Sequence, residues 1–170
     1  VKVLKVPPVS RWLNGNLSFK QIKKVKIEDL LQRDPIQLDL SLLNPELNGR
    51  TIMITGAAGS IGSEIVRQLL KFNYKQLILI DEAETPCFYL QNEIMQINGM
   101  NKVKMYIFDI CDTKQLDKIM QKYRPDVIYH AAAYKHVPMM EQNVRSAVKV
   151  NIGGTRALAD MAVKYGASKF

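Results

Sequence analysis

Three glycines and one carboxylate are spaced as they would be to hold a pyrophosphate and the sugar beside it. Gly56, Gly59 and Gly62 lie in Thr55-Gly56-Ala57-Ala58-Gly59-Ser60-Ile61-Gly62, directly after the strand-like run Arg50-Thr51-Ile52-Met53-Ile54. The first glycine permits a tight turn, the second removes a side chain where phosphates must come close, and the third lets the following helix pack against its strand. A helix starting there turns free N–H groups and the positive end of its dipole toward the negative charge. The next apolar run, Gln76-Leu77-Ile78-Leu79-Ile80, ends at Asp81, 25 residues after Gly56, close to where such folds hold the ribose hydroxyls of an adenosine. A glycine triplet also recurs in tight turns for packing reasons alone. Here the strand before it, the helical face Ile65, Val66, Leu69 and Leu70 after it, and Asp81 together describe a dinucleotide site.

The elements that must position this site alternate from Gly49 onward. Thr85-Pro86 suits an N-cap and first-turn proline for a helix bearing Phe88, Leu90, Ile94 and Ile97, stopped by Asn98-Gly99. A third strand is expected over Val103 to Phe108. Asp112-Thr113 can cap a helix carrying Leu116, Ile119, Met120 and Tyr123, which Arg124-Pro125-Asp126 ends before the strand Val127 to His130. One long helix is expected over roughly Glu141 to Lys164. The fold class is therefore α/β: a Rossmann-type doubly wound parallel sheet, incomplete, with four main strands in the order 3-2-1-4 and an N-terminal connector. A fifth strand is expected to follow Phe170.

Residues 1–48 are read as a connector and the tail of an upstream domain, and residues 49–170 as the N-terminal part of the dinucleotide-binding domain. Val1 to Val6 read as a strand halted at Pro7-Pro8, and Asp34-Pro35, Asn44-Pro45 and Asn48-Gly49 mark turns. The net charge of +8 invites a nucleic-acid partner. The densest basic cluster, Lys20, Lys23, Lys24 and Lys26, interleaves with Ile22, Val25 and Ile27, which marks a half-buried segment with a solvated face, so no nucleic-acid partner is expected. Cys87 and Cys111 form no ligand-spaced pair and there are two histidines, so no metal site is expected and hard chemistry falls to an organic cofactor. No run of about 18 apolar residues and no signal-like start are present.

Three segments together carry a family resemblance: Thr55 to Glu64, His130-Ala131-Ala132-Ala133-Tyr134-Lys135-His136-Val137-Pro138-Met139-Met140-Glu141, and Val150-Asn151-Ile152-Gly153-Gly154-Thr155. They resemble the extended short-chain dehydrogenase/reductases that act on nucleotide sugars, and within these the polysaccharide-biosynthesis branch of UDP-N-acetylglucosamine 4,6-dehydratases and related epimerases. Lys26 to Pro35 also resembles the linker of the long, membrane-attached members, with Gln32 where they usually have Gly. The resemblance implies that Gly56, Ala58, Gly59, Ser60, Ile61 and Gly62 hold the cofactor at its pyrophosphate, Asp81 its adenosine ribose, and Asp109 and Ile110 its adenine. Ala131, Ala132 and Ala133 would line the nicotinamide side, with Asn151 ordering the wall. The cofactor would be NAD, with NADP possible, because the acidic cluster of Asp81-Glu82-Ala83-Glu84 at the end of the strand repels a 2′-phosphate. Lys135 and His136 would meet substrate phosphate or sugar. The resemblance further implies a UDP-sugar substrate, a homo-oligomer, and a cytoplasmic chain whose parent sits at the cytoplasmic face of the bacterial inner membrane through an upstream segment.

Each role has a plainer competitor. Asp81 could simply open the Asp81-Glu82-Ala83-Glu84 turn, Asp109 could be a strand-end residue, and the three alanines could be small for packing. His130 is read as a satisfied core histidine. Tyr165-Gly166-Ala167-Ser168-Lys169 matches the Tyr-x-x-x-Lys pattern of the superfamily, yet Gly166 would break the helical turn on which a catalytic Tyr and Lys must share a face. No catalytic residue is therefore assigned within these 170 residues; in the family those groups follow strand five. An epimerase or reductase of the same superfamily, or a non-catalytic dinucleotide-binding module, are the alternatives to a dehydratase.

Overall fold

A computed structural model describes Leu4–Lys5, Lys23–Lys24 and residues 40–170 except 98 and 99. The chain divides into two compact units, residues 1–39 and 40–170. In the first, β1 (Leu4–Lys5) pairs antiparallel with β2 (Lys23–Lys24). The rest of the expected opening strand, the Lys26 to Pro35 linker and the remaining basic cluster lie outside the described residues.

The second unit is built on four parallel strands. These are β3 (Thr51–Thr55), β4 (Gln76–Asp81), β5 (Val103–Ile107) and β6 (Val127–His130), ordered β5-β4-β3-β6. This is the 3-2-1-4 order read from the sequence. Alternate residues of the strands feed two cores. Ile52, Ile54, Leu77 and Leu79 face one side of the sheet, whereas Met53, Ile78, Ile80 and Ile128 face the other. A sheet buried on both faces is what makes these strands near-continuous apolar runs rather than alternating ones.

The first face is covered by α1 (Leu40–Leu47), α2 (Ser60–Leu69) and α3 (Glu84–Ile97), through Leu47, Val66, Leu69, Leu90 and Ile94. The second is covered by α4 (Thr113–Tyr123) and α7 (Thr155–Tyr165), through Leu116, Met120, Leu158 and Ala162. Asp112 caps α4 as expected, accepting from the Gln115 N–H at 3.1 Å, and Arg124 ends it in the left-handed conformation with φ 43°. Between β6 and α7 lie α5 (Val137–Glu141), α6 (Val144–Ala147) and a π-helical stretch, Val148–Gly154. Lys169 then makes a parallel bridge to Val127, so the chain re-enters the sheet along the outer edge of β6.

Four sequence expectations are corrected. Asn44-Pro45 is no turn, because Pro45 lies inside α1; burial of Leu47, with Leu43 packed beside it, outweighs the backbone bond that proline forgoes. The second helix begins at Glu84, so Thr85 is within it and its hydroxyl donates to Glu84 at 3.0 Å instead of capping. Pro86 stays in the first turn, where no N–H is needed. The third strand ends at Ile107, one residue before Phe108. The single helix expected over Glu141 to Lys164 is interrupted at Gln142–Asn143 and again departs from α geometry across the π stretch.

Candidate functional site

The register of the sheet brings the carboxyl ends of β3, β4 and β6 level, since Thr55 lies opposite both Ile80 and His130. The chain leaves β3 into the glycine loop at that edge. Gly56 adopts φ 67°, and a Cβ there would stand 2.5 Å from the Ala131 carbonyl carbon. At Gly62 a Cβ would stand 1.9 Å from the Gly56 carbonyl oxygen. Both glycines are therefore demanded by the protein itself, the first by the neighbouring strand end and the second by the return of α2 over its own loop.

Gly59 differs. A Cβ there would meet only the Gly56 oxygen, at 3.3 Å, so its bare face is turned away from the fold. Gly59 is also the N-cap of α2 and has no side chain to cap it. The N–H groups of Ser60, Ile61 and Gly62 consequently have no acceptor among the described residues, whereas the Ser63 N–H already donates to Gly59 at 2.9 Å. Three unsatisfied donors at the positive end of a ten-residue helix, beside a glycine with open space, form an anion cradle.

Asp81 joins this cradle from β4. Its carboxylate accepts from the Ala58 N–H at 2.9 Å and from the Ala83 N–H at 3.0 Å, so it shapes the glycine loop and keeps lone pairs to spare. A crevice of about 220 Å³ opens over these strand ends, lined on one side by Gly56, Ala58, Gly59 and Asp81 and on the other by Ala131 to Tyr134. Asp109 and Ile110 close its far end. Burial raises the Asp109 carboxyl, but the Cys111 N–H at 2.8 Å and the Lys149 ammonium at 2.9 Å outweigh it and hold the group below the usual carboxylate range. Cys87, beneath this edge in α3, is pushed up to about 11, first by burial and then by the nearby Asp81 and Glu84, and stays an inert thiol.

Of the residues singled out in the sequence, Gly56, Ala58, Gly59, Asp81, Asp109, Ile110, Ala131, Ala132 and Ala133 line one crevice. Ser60, Ile61 and Gly62 are not among its lining residues; they form the first turn of α2, directly after Gly59. Asn151 stands behind the wall, its side chain accepting from the Tyr134 N–H and donating to the Tyr134 carbonyl, each at 2.8 Å. Lys135 lines a second groove of about 300 Å³ together with Tyr134, Met140, Val144 and Asn151, whereas His136 is the N-cap residue of α5 and lines neither space. Sequence reasoning gave Tyr134 no role and did not see its pairing with Glu82. The Tyr134 hydroxyl donates to Glu82 at 3.4 Å across the crevice mouth, a pairing of residues 52 positions apart that only the sheet order creates. Tyr165 and Lys169 are placed elsewhere: the tyrosine hydroxyl donates to Asp117 at 2.8 Å, and Lys169 pairs with Glu46. Gly166 ends α7 in the left-handed conformation with φ 77°, separating the two.

A doubly wound parallel sheet with a glycine-rich strand-to-helix loop at its switch point defines the Rossmann-type nucleotide-binding class. The family described as polysaccharide biosynthesis protein matches residues 52–170, and the chain belongs to that family. It is 40% identical to the capsular polysaccharide biosynthesis protein CapD of Staphylococcus aureus, over all of this chain and 28% of that protein. It is 35% identical to the inverting UDP-N-acetylglucosamine 4,6-dehydratase of Campylobacter jejuni, over 72% of this chain and 35% of that enzyme. Among solved structures, DesIV, a dTDP-glucose 4,6-dehydratase of Streptomyces venezuelae with NAD and TYD bound, matches at 25% identity with a TM-score of 0.58, over 69% of this chain and 37% of that one. The chain thus spans 28% to 37% of the length of these relatives. No described helix is long and apolar enough to cross a membrane, and no group of three potential metal ligands occurs among the described residues.

Proposed function

We propose that this chain is the dinucleotide-binding part of a nucleotide-sugar 4,6-dehydratase that takes a UDP-N-acetylglucosamine-like substrate in the synthesis of a surface polysaccharide. The observation that carries it is the cradle at Gly59: three unpaired N–H groups and an open glycine face, next to Asp81, in a chain 35% identical to such an enzyme. The pyrophosphate would rest on Ser60, Ile61 and Gly62, the adenosine ribose on Asp81, and the adenine between Asp109 and Ile110. Ala131 to Ala133 would leave room for the nicotinamide. Asp81 and Glu82 together make the adenosine end acidic, which favours NAD over NADP. Bound NAD would accept a hydride from the sugar and return it within one turnover. Lys135, in the adjoining groove, would meet the anionic part of the sugar nucleotide. The acid and base groups of the reaction are not assigned to this chain. Attachment of the parent to the cytoplasmic face of a membrane belongs to the same reading, supported by the likeness of Lys26 to Pro35 to the linker of membrane-attached members, and assembly as a homo-oligomer is the companion expectation of the family resemblance.

Titration calorimetry with NAD, on the wild type and on Gly59→Val, tests the site. The wild type is expected to bind and the variant, whose branched side chain fills the phosphate position, to lose binding at least tenfold while staying folded. Asp81→Ala should move the NAD/NADP ratio toward NADP. Equal NAD affinity in wild type and Gly59→Val would overturn the assignment.

A further inference from the structure

Tyr134 lines both the crevice and the groove beside it, so this residue stands between them. The loop that carries it has little else to hold it. Between Ala131, whose N–H donates to Thr55 at 2.9 Å, and His136 at the start of α5, the two contacts with the Asn151 side chain are the hydrogen bonds made by the backbone among the described residues. Asn151 lies in the π stretch, and its own carbonyl accepts from the Thr155 hydroxyl at 2.7 Å. That hydroxyl lies 2.8 Å from Nε2 of His130, whose Nδ1 lies 2.6 Å from the hydroxyl of Thr55, the residue before Gly56.

One proton count fixes the direction of this chain. The Thr155 hydroxyl hydrogen is given to Asn151, so its oxygen must accept from Nε2–H, and Nδ1 is then free to accept from Thr55. The neutral ring, the form that burial favours, is therefore the Nε2–H tautomer. Burial lowers its pKa in keeping with that form, and the ring of Phe170 stacks on it with centroids 6.0 Å apart. A histidine with both nitrogens satisfied by hydroxyls, and no carboxylate partner among the described residues, supplies geometry instead of charge.

We propose that His130 is a positioning residue: through Thr155 and Asn151 it fixes the Tyr134 peptide, and with it the wall between the dinucleotide crevice and the groove that holds Lys135. The inference rests on the dinucleotide reading of the crevice for its consequence, and on the contacts alone for its mechanism. Losing the relay would free the loop while leaving the sheet intact.

Amide hydrogen exchange followed by NMR in the full-length protein tests it, with NAD affinity measured alongside. Thr155→Val and His130→Leu should speed exchange of the Tyr134 amide roughly tenfold, as Asn151→Ala does, with exchange in β4 unchanged. Thr155→Ser should restore the wild-type rate. NAD affinity should fall in the same variants, and His130→Leu combined with Asn151→Ala should cost little more than either alone. If His130→Leu does not fold, the Thr155 pair decides the matter. A Tyr134 amide as slow in Thr155→Val as in wild type, or equal exchange in the Ser and Val variants, would overturn the proposal. A wild type that takes no NAD, but whose Tyr134 amide responds as described, would remove the dinucleotide reading and leave the positioning role standing.

Discussion

Gly56, Gly59 and Gly62 share one motif and three different physical demands. At Gly62 the missing Cβ would sit 1.9 Å from a backbone oxygen that cannot move without unmaking the loop, so Gly62→Ala should cost about 3 kcal/mol or more. At Gly59 the nearest atom to a Cβ is 3.3 Å away, and the substitution replaces one N-cap residue without a polar side chain by another, costing about 1 kcal/mol. Chemical denaturation of the two alanine variants should therefore rank Gly62 well below Gly59 in stability. NAD titration of the folded Gly59 variant should show weakened binding; equal stability losses at the two positions would contradict the separation of roles. The same attention to partners disposes of Tyr165. Its hydroxyl is committed to Asp117 on α4, at the margin of the core on the opposite face of the sheet from α2, so Tyr165→Phe should leave turnover by the proposed full-length dehydratase within about twofold, far from the 10²–10⁴-fold loss of a true acid/base group. A loss of that size would return Tyr165 to the active site.

At the scale of elements, the strand order, the glycine-loop helix and the Asp112 cap were legible because each is a local pattern: an apolar run, a spacing, a side chain three residues before the N–H it accepts from. The segment after β6 was not. Val144, Val148 and Ile152 recur every four residues and read as one continuous helix, and nothing in that periodicity reports a π turn. The π stretch carries tertiary contacts instead, because it holds Asn151 against Tyr134 and brings Gly154 against β5's exit loop. Asn151 could be singled out by resemblance, whereas the partners that give it meaning, Tyr134 and His130, become visible only when the sheet sets β6 beside β3. Gly154 supplies a prediction at this scale. A Cβ there would stand 2.7 Å from the Ile110 Cδ1 atom, the end of a side chain able to shift toward the crevice. Gly154→Ala should cost about 1–2 kcal/mol in stability and weaken NAD further than that loss explains, since Ile110 lines the crevice proposed to take the dinucleotide. Unchanged affinity in a correctly folded variant would show that Ile110 yields in another direction.

For the molecule as a whole, the lowered carboxylates and the lowered histidine make acid a weak side. Asp109 is held low despite its burial by the Cys111 N–H and Lys149, Asp117 by Lys164 and Tyr165, and Glu93 by Arg67. Each contributes stability that is present above the unfolded carboxylate pKa, about 4, and is lost as pH falls through the lower folded value. His130 acts earlier. Its pKa is lowered by burial, so as pH falls below about 6.5 the unfolded chain takes up a proton that the folded chain refuses, and stability declines until the folded pKa is reached. Protonation would also turn Nδ1 into a donor facing the Thr55 hydroxyl that now donates to it, opening the relay at the edge of the glycine loop. Acid unfolding should accordingly show two stages, a shallow loss that sets in below about pH 6.5 from the histidine and a steeper one near and below pH 4 from the carboxylates. Urea midpoints measured at pH 7.5, 5.5 and 4 in wild type and His130→Asn would separate them. The variant is expected to start less stable and to lose nothing between pH 7.5 and 5.5, where the wild type declines. If the two decline in parallel over that interval, the early stage does not belong to His130 and the ring is not held neutral by the fold.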